Sequence, residues 1–367
     1  MNFFDVKEQN REVSPIFLRK LNKIMRKGDF VLGSDVKLFE QEFSNYCGTK
    51  FAIGVNSGAD ALFLSLRCLG IGEGDEVIVP AFTFIATSFA VSYTGAKPVF
   101  IDVDARTFNL DSSRLNSAIT KKTKAIIPVH LFGLCAEMSE INRIAKKHKL
   151  AVIEDAAQSH GAKIKNKAAG SFGDLGCFSF YPTKNLSGCG DAGMITTNKK
   201  KLYERLLQLR DCGRSKKRYL HPIIGYNSRL DSIQASFIRL KLKRLELWNR
   251  ARNKNAGLYT KLLKDVKGLS LPIVPNGYRH VYHIFPILTK KRTMLINLFK
   301  SQKIPFAIFY SLPLHLQKAN RCLKYRRGDF PVSERIAKEI IALPTHPHLK
   351  SAEIKRIATC IKKVHCG

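Results

Sequence analysis

Five short runs of apolar residues, each followed by a helical pattern, constrain this chain more than any other feature. They are Phe51-Ala-Ile-Gly-Val55, Glu76-Val-Ile-Val-Pro80, Lys97-Pro-Val-Phe-Ile-Asp-Val103, Thr123-Lys-Ala-Ile-Ile-Pro-Val-His130 and Ala151-Val-Ile-Glu-Asp155. Strands that are apolar throughout need cover on both faces, and strand–helix alternation supplies it by placing a mostly parallel sheet between two helical layers. The expected fold class is therefore α/β. In such sheets ligands gather at the carboxyl ends of the strands, so the residues just after each run are where chemistry is expected.

Two of those ends, and the end of a sixth apolar run, carry suitable residues. After the first run, Asn56-Ser57-Gly58-Ala59-Asp60 leads into a helix expected over 61–69. Backbone N–H groups and the positive end of the helix dipole then point at one place, an anion site or simply a capped helix start. The run ending at Asp155 continues Ala-Ala-Gln158, which supplies either a carboxylate for a ligand or a plain helix cap. The third end is the stretch Asp174-Leu-Gly-Cys-Phe-Ser-Phe-Tyr-Pro-Thr-Lys184-Asn-Leu. Here an apolar strand over 175–181 meets Pro182, which stops the ladder, and Lys184 follows at the strand end. An interior amine there suits Schiff-base chemistry through a lowered pKa, whereas a lysine near a turn can also be merely solvated. Lysine, carboxylate and anion-binding helix start together suggest pyridoxal phosphate, which needs an amine, an anion at its ring nitrogen and a phosphate cradle.

Flanking helices are expected over 12–27, ending at Gly28, and over 36–46, with the glycine-bounded loop Gly28-Asp-Phe30-Val-Leu-Gly33 between them. A long charged helix is expected from Leu240 to about Leu263, after which the pattern changes. Strand-like 282–288 and 305–310 alternate there with helical 294–302, 333–341 and 352–364. With 367 residues, two domains are expected: a large one over 1–244 and a smaller α+β one over 245–367.

The formal charge of +33 raises the question of nucleic acid or membrane partners. Basic residues are scattered along helical faces with no arginine-rich arm, so no nucleic-acid partner is expected. Nine cysteines without a C-x-x-C pair indicate free thiols. The opening Met1-Asn-Phe-Phe-Asp-Val-Lys lacks a signal-peptide core, and no apolar run approaches the ~18 residues of a membrane helix. A cytoplasmic enzyme with no membrane partner is the expectation.

Three motifs in order carry a family resemblance: Glu154-Asp155-Ala-Ala-Gln158-Ser-His-Gly161, then Cys177-Phe-Ser179-Phe-Tyr-Pro-Thr-Lys184-Asn-Leu, then Gly225-Tyr-Asn227-Ser-Arg229-Leu-Asp231-Ser-Ile-Gln234-Ala. With them the chain resembles, over nearly its whole length, the pyridoxal-phosphate-dependent nucleotide-sugar aminotransferases of the DegT family, whose fold is that of aspartate aminotransferase (fold type I). The resemblance implies Lys184 as Schiff-base lysine and general base, Asp155 on the pyridine nitrogen, Gln158 near the ring hydroxyl and Ser179 on the phosphate, with Gly58 and Ala59 at the phosphate-binding helix start. It implies Phe84 stacked on the ring; core packing is the alternative for that residue, against which Thr83 and Thr87 beside it suggest a half-polar surface. It further implies a homodimer in which Asn227 reaches the phosphate of the neighbouring subunit's cofactor. Phe30 in its loop, Arg229, His283, Tyr310 and His315 are similar to substrate-side elements, with satisfied structural histidines as the alternative for His283 and His315.

Two departures stand out. The family's helix start usually reads Gly-Thr-Asp where this chain has Gly58-Ala59-Asp60, removing a hydroxyl from the phosphate site, so weaker cofactor retention is expected. Many members carry His-Tyr at Phe309-Tyr310, which leaves Tyr310 as the sugar contact. The implied reaction moves an amino group from an amino acid, glutamate being the expected donor, to a keto group, at C3, of a nucleotide-linked sugar in surface-polysaccharide or amino-sugar biosynthesis. The rivals are a pyridoxal-phosphate-dependent sugar dehydratase, in which histidine replaces the lysine, and a non-catalytic regulator with damaged cofactor residues.

Overall fold

A computed structural model describes residues 1–215, Lys217 and residues 219–366. All five apolar runs form strands: Phe51–Val55, Glu76–Pro80, Lys97–Ile101, Thr123–Ile126 and Ala151–Asp155. Leu175–Ser179 and Gly193–Thr197 complete a seven-stranded sheet. Its order across the sheet is 51–55, 193–197, 175–179, 151–155, 123–126, 76–80 and 97–101. Pairing is parallel except around Gly193–Thr197, which runs antiparallel to both neighbours. Core residues such as Ile53, Val79, Ile127, Ile153 and Leu175 are fully buried, as strands covered on both faces require.

The helix after the first strand spans Gly58–Cys68, three residues earlier than the pattern indicated. Ser57 is its N-cap, accepting from the amide of Asp60 at 3.0 Å, which places Gly58 and Ala59 in the first turn. The helix expected from Leu240 instead spans Ser232–Leu263. Asp231 starts it by accepting from the Gln234 amide at 2.7 Å, a cap that fixes the beginning before any apolar periodicity appears. This helix passes residue 244 without a break. Its first half packs Phe237 and Leu240 against Val13, and its second half packs Ala256, Tyr259 and Leu263 against the C-terminal helix Ser351–Cys366 through Ile354 and Ile357.

The last third carries a three-stranded antiparallel sheet of Leu269–Ser270, Phe285–Thr289 and Ile340–Leu343. Residues 305–310, expected as a strand, form no strand. Only Ala307 bridges to Ala342, and the apolar run packs into the wall of the central cavity instead. A short helix that the pattern did not reveal, Val6–Arg11, precedes the helix Ser14–Lys27. Cys47, Cys68, Cys135 and Cys177 are buried, and all eight cysteines with described side chains are unpaired. Among the described residues no helix is long and apolar enough to cross a membrane.

Candidate active site

A cavity of about 410 Å3 opens at the carboxyl ends of the parallel strands. It gathers the candidates that lie far apart in sequence: Gly58, Ala59, Phe84, Asp155, Gln158, Ser179, Lys184, His283 and Tyr310 all line it. The three strand ends converge because their strands share one sheet and point the same way.

Lys184 sits in the turn after Leu175–Ser179, its amide donating to the Tyr181 carbonyl at 2.9 Å. Its amine makes no hydrogen bond among the described residues and faces the cavity. Burial lowers its pKa to about 8, while the charge of Asp155 pulls the other way. A sizeable share of such an amine is neutral and nucleophilic near pH 8. Asp155 is held on both oxygens. Oδ2 accepts from the Thr87 hydroxyl at 2.8 Å and Oδ1 from the Ala157 amide at 3.2 Å. Burial raises its carboxyl pKa, against those hydrogen bonds and the charge of Lys184.

Thr87 is fully buried and Thr83 nearly so, which corrects the expectation of a half-polar surface beside Phe84. Thr87 has turned inward because the carboxylate offers a partner that its hydroxyl would otherwise lack. Phe84 itself is 55% exposed on the cavity wall, its ring 6.0 Å from that of Tyr310. A flat ring laid there would meet an aromatic face.

Gln158 is oriented from two sides. Its Oε1 accepts from the Phe132 amide at 2.8 Å and its Nε2 donates to the Tyr310 hydroxyl at 3.2 Å. At the helix start, the first-turn amides of Gly58 and Ala59 lie beside Ser179. A Cβ on Gly58 would come within 2.5 Å of the Ser179 Cβ, so only glycine allows that approach. His283 stacks on Phe4 with ring centroids 5.9 Å apart and shares a 3.2 Å hydrogen bond with Asn185. The N-terminal segment thereby contributes Phe4 to the cavity lining, a residue with no recognisable signal in the sequence.

The remaining candidates lie outside this lining. Asn227 is exposed, and its Oδ1 accepts from Arg229 at 2.7 Å. Arg229 also pairs with Asp211 at 3.0 Å. His315 is buried against Glu334 at 3.1 Å. Phe30 projects from its loop at 39% exposure, and its carbonyl accepts from the Ser232 amide.

Behind the site, Glu154 is fully buried and accepts from His130 Nε2 at 2.8 Å and from the amides of Gly170, Phe172 and Gly173 at 2.6–2.7 Å. It ties the loop over 168–174 to the strand that ends in Asp155. Replacing it by alanine strands several buried donors at once, with an expected cost of about 3–5 kcal/mol. Chemical denaturation of Glu154→Ala should show that loss, and a change under ~1 kcal/mol would mean that these donors find water.

The residues fit pyridoxal phosphate on structural grounds alone. A desolvated amine, a carboxylate fixed in place, an aromatic wall and a glycine-tightened amide cradle face one cavity. Comparison with known proteins agrees. The curated relatives include a protein of Geobacillus stearothermophilus described as a pleiotropic regulatory protein, 44% identical over 95% of this chain and 94% of that one. They also include the UDP-N-acetyl-3-dehydro-alpha-D-glucosamine 3-aminotransferase of Acidithiobacillus ferrooxidans, 44% identical with the same coverage. Among solved structures, S. venezuelae DesV in complex with a ketimine intermediate superposes with a TM-score of 0.96, at 38% identity, over 98% of this chain and 97% of that one. The model of the DegT/DnrJ/EryC1/StrS aminotransferase family matches residues 13–362, and the chain belongs to that family.

Proposed function

We propose that the protein is a pyridoxal-phosphate-dependent aminotransferase that moves an amino group from an amino acid to the C3 keto group of a nucleotide-linked sugar. One observation carries it: the desolvated amine of Lys184 and the fixed carboxylate of Asp155 face one cavity. Asp155 would hold the proton of the pyridine nitrogen, Gln158 would face the ring hydroxyl, and Phe84 would cover the ring. The amides of Gly58 and Ala59 and the hydroxyl of Ser179 would take the phosphate. When bound, the cofactor supplies an electron sink for the bonds at the nitrogen-bearing carbon. Lys184 Nζ, once freed from the cofactor, would be the base that takes the proton from that carbon and would hold it for delivery to the carbon on the other side of the nitrogen.

The C3 assignment rests on Asn227-Ser228-Arg229-Leu-Asp231 and on the relative named as a 3-aminotransferase. Glutamate as donor rests on family likeness alone. Loading the protein with pyridoxamine phosphate and adding 3-keto and 4-keto nucleotide sugars in turn tests the reading: the 3-keto compounds should return the aldehyde absorbance. Return with the 4-keto compounds alone would move the assignment to C4. The relative described as a regulatory protein favours a non-catalytic reading, but a site kept intact at Lys184, Asp155, Gln158 and Ser179 favours catalysis.

Asn227 is proposed to serve the partner's site in a homodimer, which agrees with its exposure and its absence from its own chain's cavity lining. Losing one charge-assisted hydrogen bond to phosphate should cost on the order of 1.5–3 kcal/mol of cofactor affinity. Subunit exchange between Lys184→Ala and Asn227→Ala, at a cofactor concentration too low to saturate the latter, then creates one undamaged site per heterodimer. Activity should rise toward half the wild-type value per heterodimer. No rise despite demonstrated exchange would put Asn227 in its own chain's site.

A further inference from the structure

A second cluster of potential ligands lies where the N-terminal segment meets the C-terminal third. Asp5, His346 and His348 each offer one ligand atom, and these atoms lie within 4.8 Å of one another. His346 is 4% exposed, yet among the described residues neither of its ring nitrogens has a hydrogen-bond partner. An imidazole buried with both nitrogens unpaired is costly unless something fills the gap. Its backbone is fixed, since the His346 carbonyl accepts from Asn255 Nδ2 at 2.9 Å and from the Leu349 amide at 3.2 Å.

His348 is arranged differently. Its Nε2 donates to Glu12 Oε1 at 2.8 Å, and its Nδ1 is buried without a partner among the described residues. A carboxylate that takes the proton on one nitrogen leaves the lone pair on the other, which is how metal-bound histidines are usually oriented. Asp5 caps the helix Val6–Arg11 through the Glu8 amide at 3.3 Å and adds a negative charge. Arg252 is a buried cation whose charge reaches His346, and its guanidinium is directed at the carbonyls of Tyr282 and His283. Glu12 adds negative charge on the same side, and Glu353 is paired there with the Met1 ammonium at 3.8 Å.

We propose that Asp5, His346 and His348 bind one divalent transition-metal ion of the zinc type. Two imidazoles and one carboxylate are a common zinc set, completed by water. Tetrahedral bonds of about 2.0–2.1 Å bring ligand atoms to roughly 3.3 Å apart, so the three groups need only small side-chain rotations to close on an ion. Asp5 follows Phe4, which lines the active-site cavity and stacks on His283. The bound ion therefore pins the N-terminal segment and holds Phe4 in the cavity wall.

The test titrates the chelator-treated, full-length protein with Co2+ alone and follows its visible absorbance, with Zn2+ then added as competitor. The expected result is one equivalent per chain with strong bands near 500–650 nm, displaced by Zn2+, and without thiolate charge-transfer absorbance in the near ultraviolet. Asp5→Asn and His348→Gln should each weaken binding by about 10–100-fold. Zn2+ should raise the thermal midpoint of the wild type and not that of the variants. His348→Gln also guards against misfolding as an explanation, since that side chain is partly exposed. Absence of stoichiometric binding, affinity unchanged in both variants, or thiolate bands that place the ion on exposed Cys189, Cys212 or Cys322 would each overturn the proposal.

Discussion

Lys184→Ala is expected to lower turnover by at least about 10³-fold, because one amine both anchors the cofactor and moves the proton. The variant should remain folded. The Lys184 side chain makes no hydrogen bond among the described residues, and the desolvation that lowers its pKa works against folding. The amine titrates near pH 8 in the folded chain and near ~10.4 unfolded, so the unfolded chain binds more protons between those values. In cofactor-free protein the burden is therefore full below pH 8 and fades as pH rises toward ~10.4. At pH 7 the thermal midpoint of the cofactor-free variant should lie at or above that of wild type, and any gap should close in alkaline buffer. Turnover within tenfold of wild type without added amine would remove Lys184 from the reaction. A collapsed midpoint would instead show that the lysine is structural.

The second large effect is expected at Asp155. Asn keeps the shape and can still accept from Thr87, but it cannot hold a pyridinium proton by charge. Asp155→Asn should therefore bind cofactor nearly normally and lose on the order of 10²–10³ in turnover, the scale of one preorganised electrostatic contact in a dry site. Thr87→Val separates two contributions. It removes the 2.8 Å hydrogen bond and leaves the charge, so its loss should be much smaller. Equal losses in the two variants would mean that the orientation of the carboxylate matters and its charge does not. Stopped-flow measurement of the half-reaction with the amino donor reads both without interference from sugar binding.

Much of this site was legible because the residues concerned sit where local rules are strong. Apolar runs mark the parallel strands, and their ends place Gly58, Asp155, Gln158, Ser179 and Lys184 on one edge before any coordinates are known. Local rules failed where long-range contacts decide. Thr87 turns inward because Asp155, distant in sequence, offers it an acceptor. Residues 305–310 have strand composition but serve as cavity wall, since the neighbouring strand pair of Phe285–Thr289 and Ile340–Leu343 offers them only the bridge at Ala342. The early start of the helix Ser232–Leu263 is encoded by Asp231-Ser-Ile-Gln234, a capping pattern that lies inside the family motif and is masked by it. Phe4 gave no signal because an aromatic residue near a chain end says nothing of where that end will lie.

The unbroken course of the helix Ser232–Leu263 bears on how the chain matures during synthesis. Its first half can settle on already finished structure, against Val13 and Phe17, as soon as it leaves the ribosome. Its second half is only partly covered by what precedes residue 351, Tyr259 stacking on Phe285 at 5.0 Å, and waits for Ile354, Ile357 and Ile361 on the helix Ser351–Cys366. A nascent chain stalled before that point carries an apolar stripe on a rigid rod, the kind of surface that chaperones hold and that aggregates when they do not.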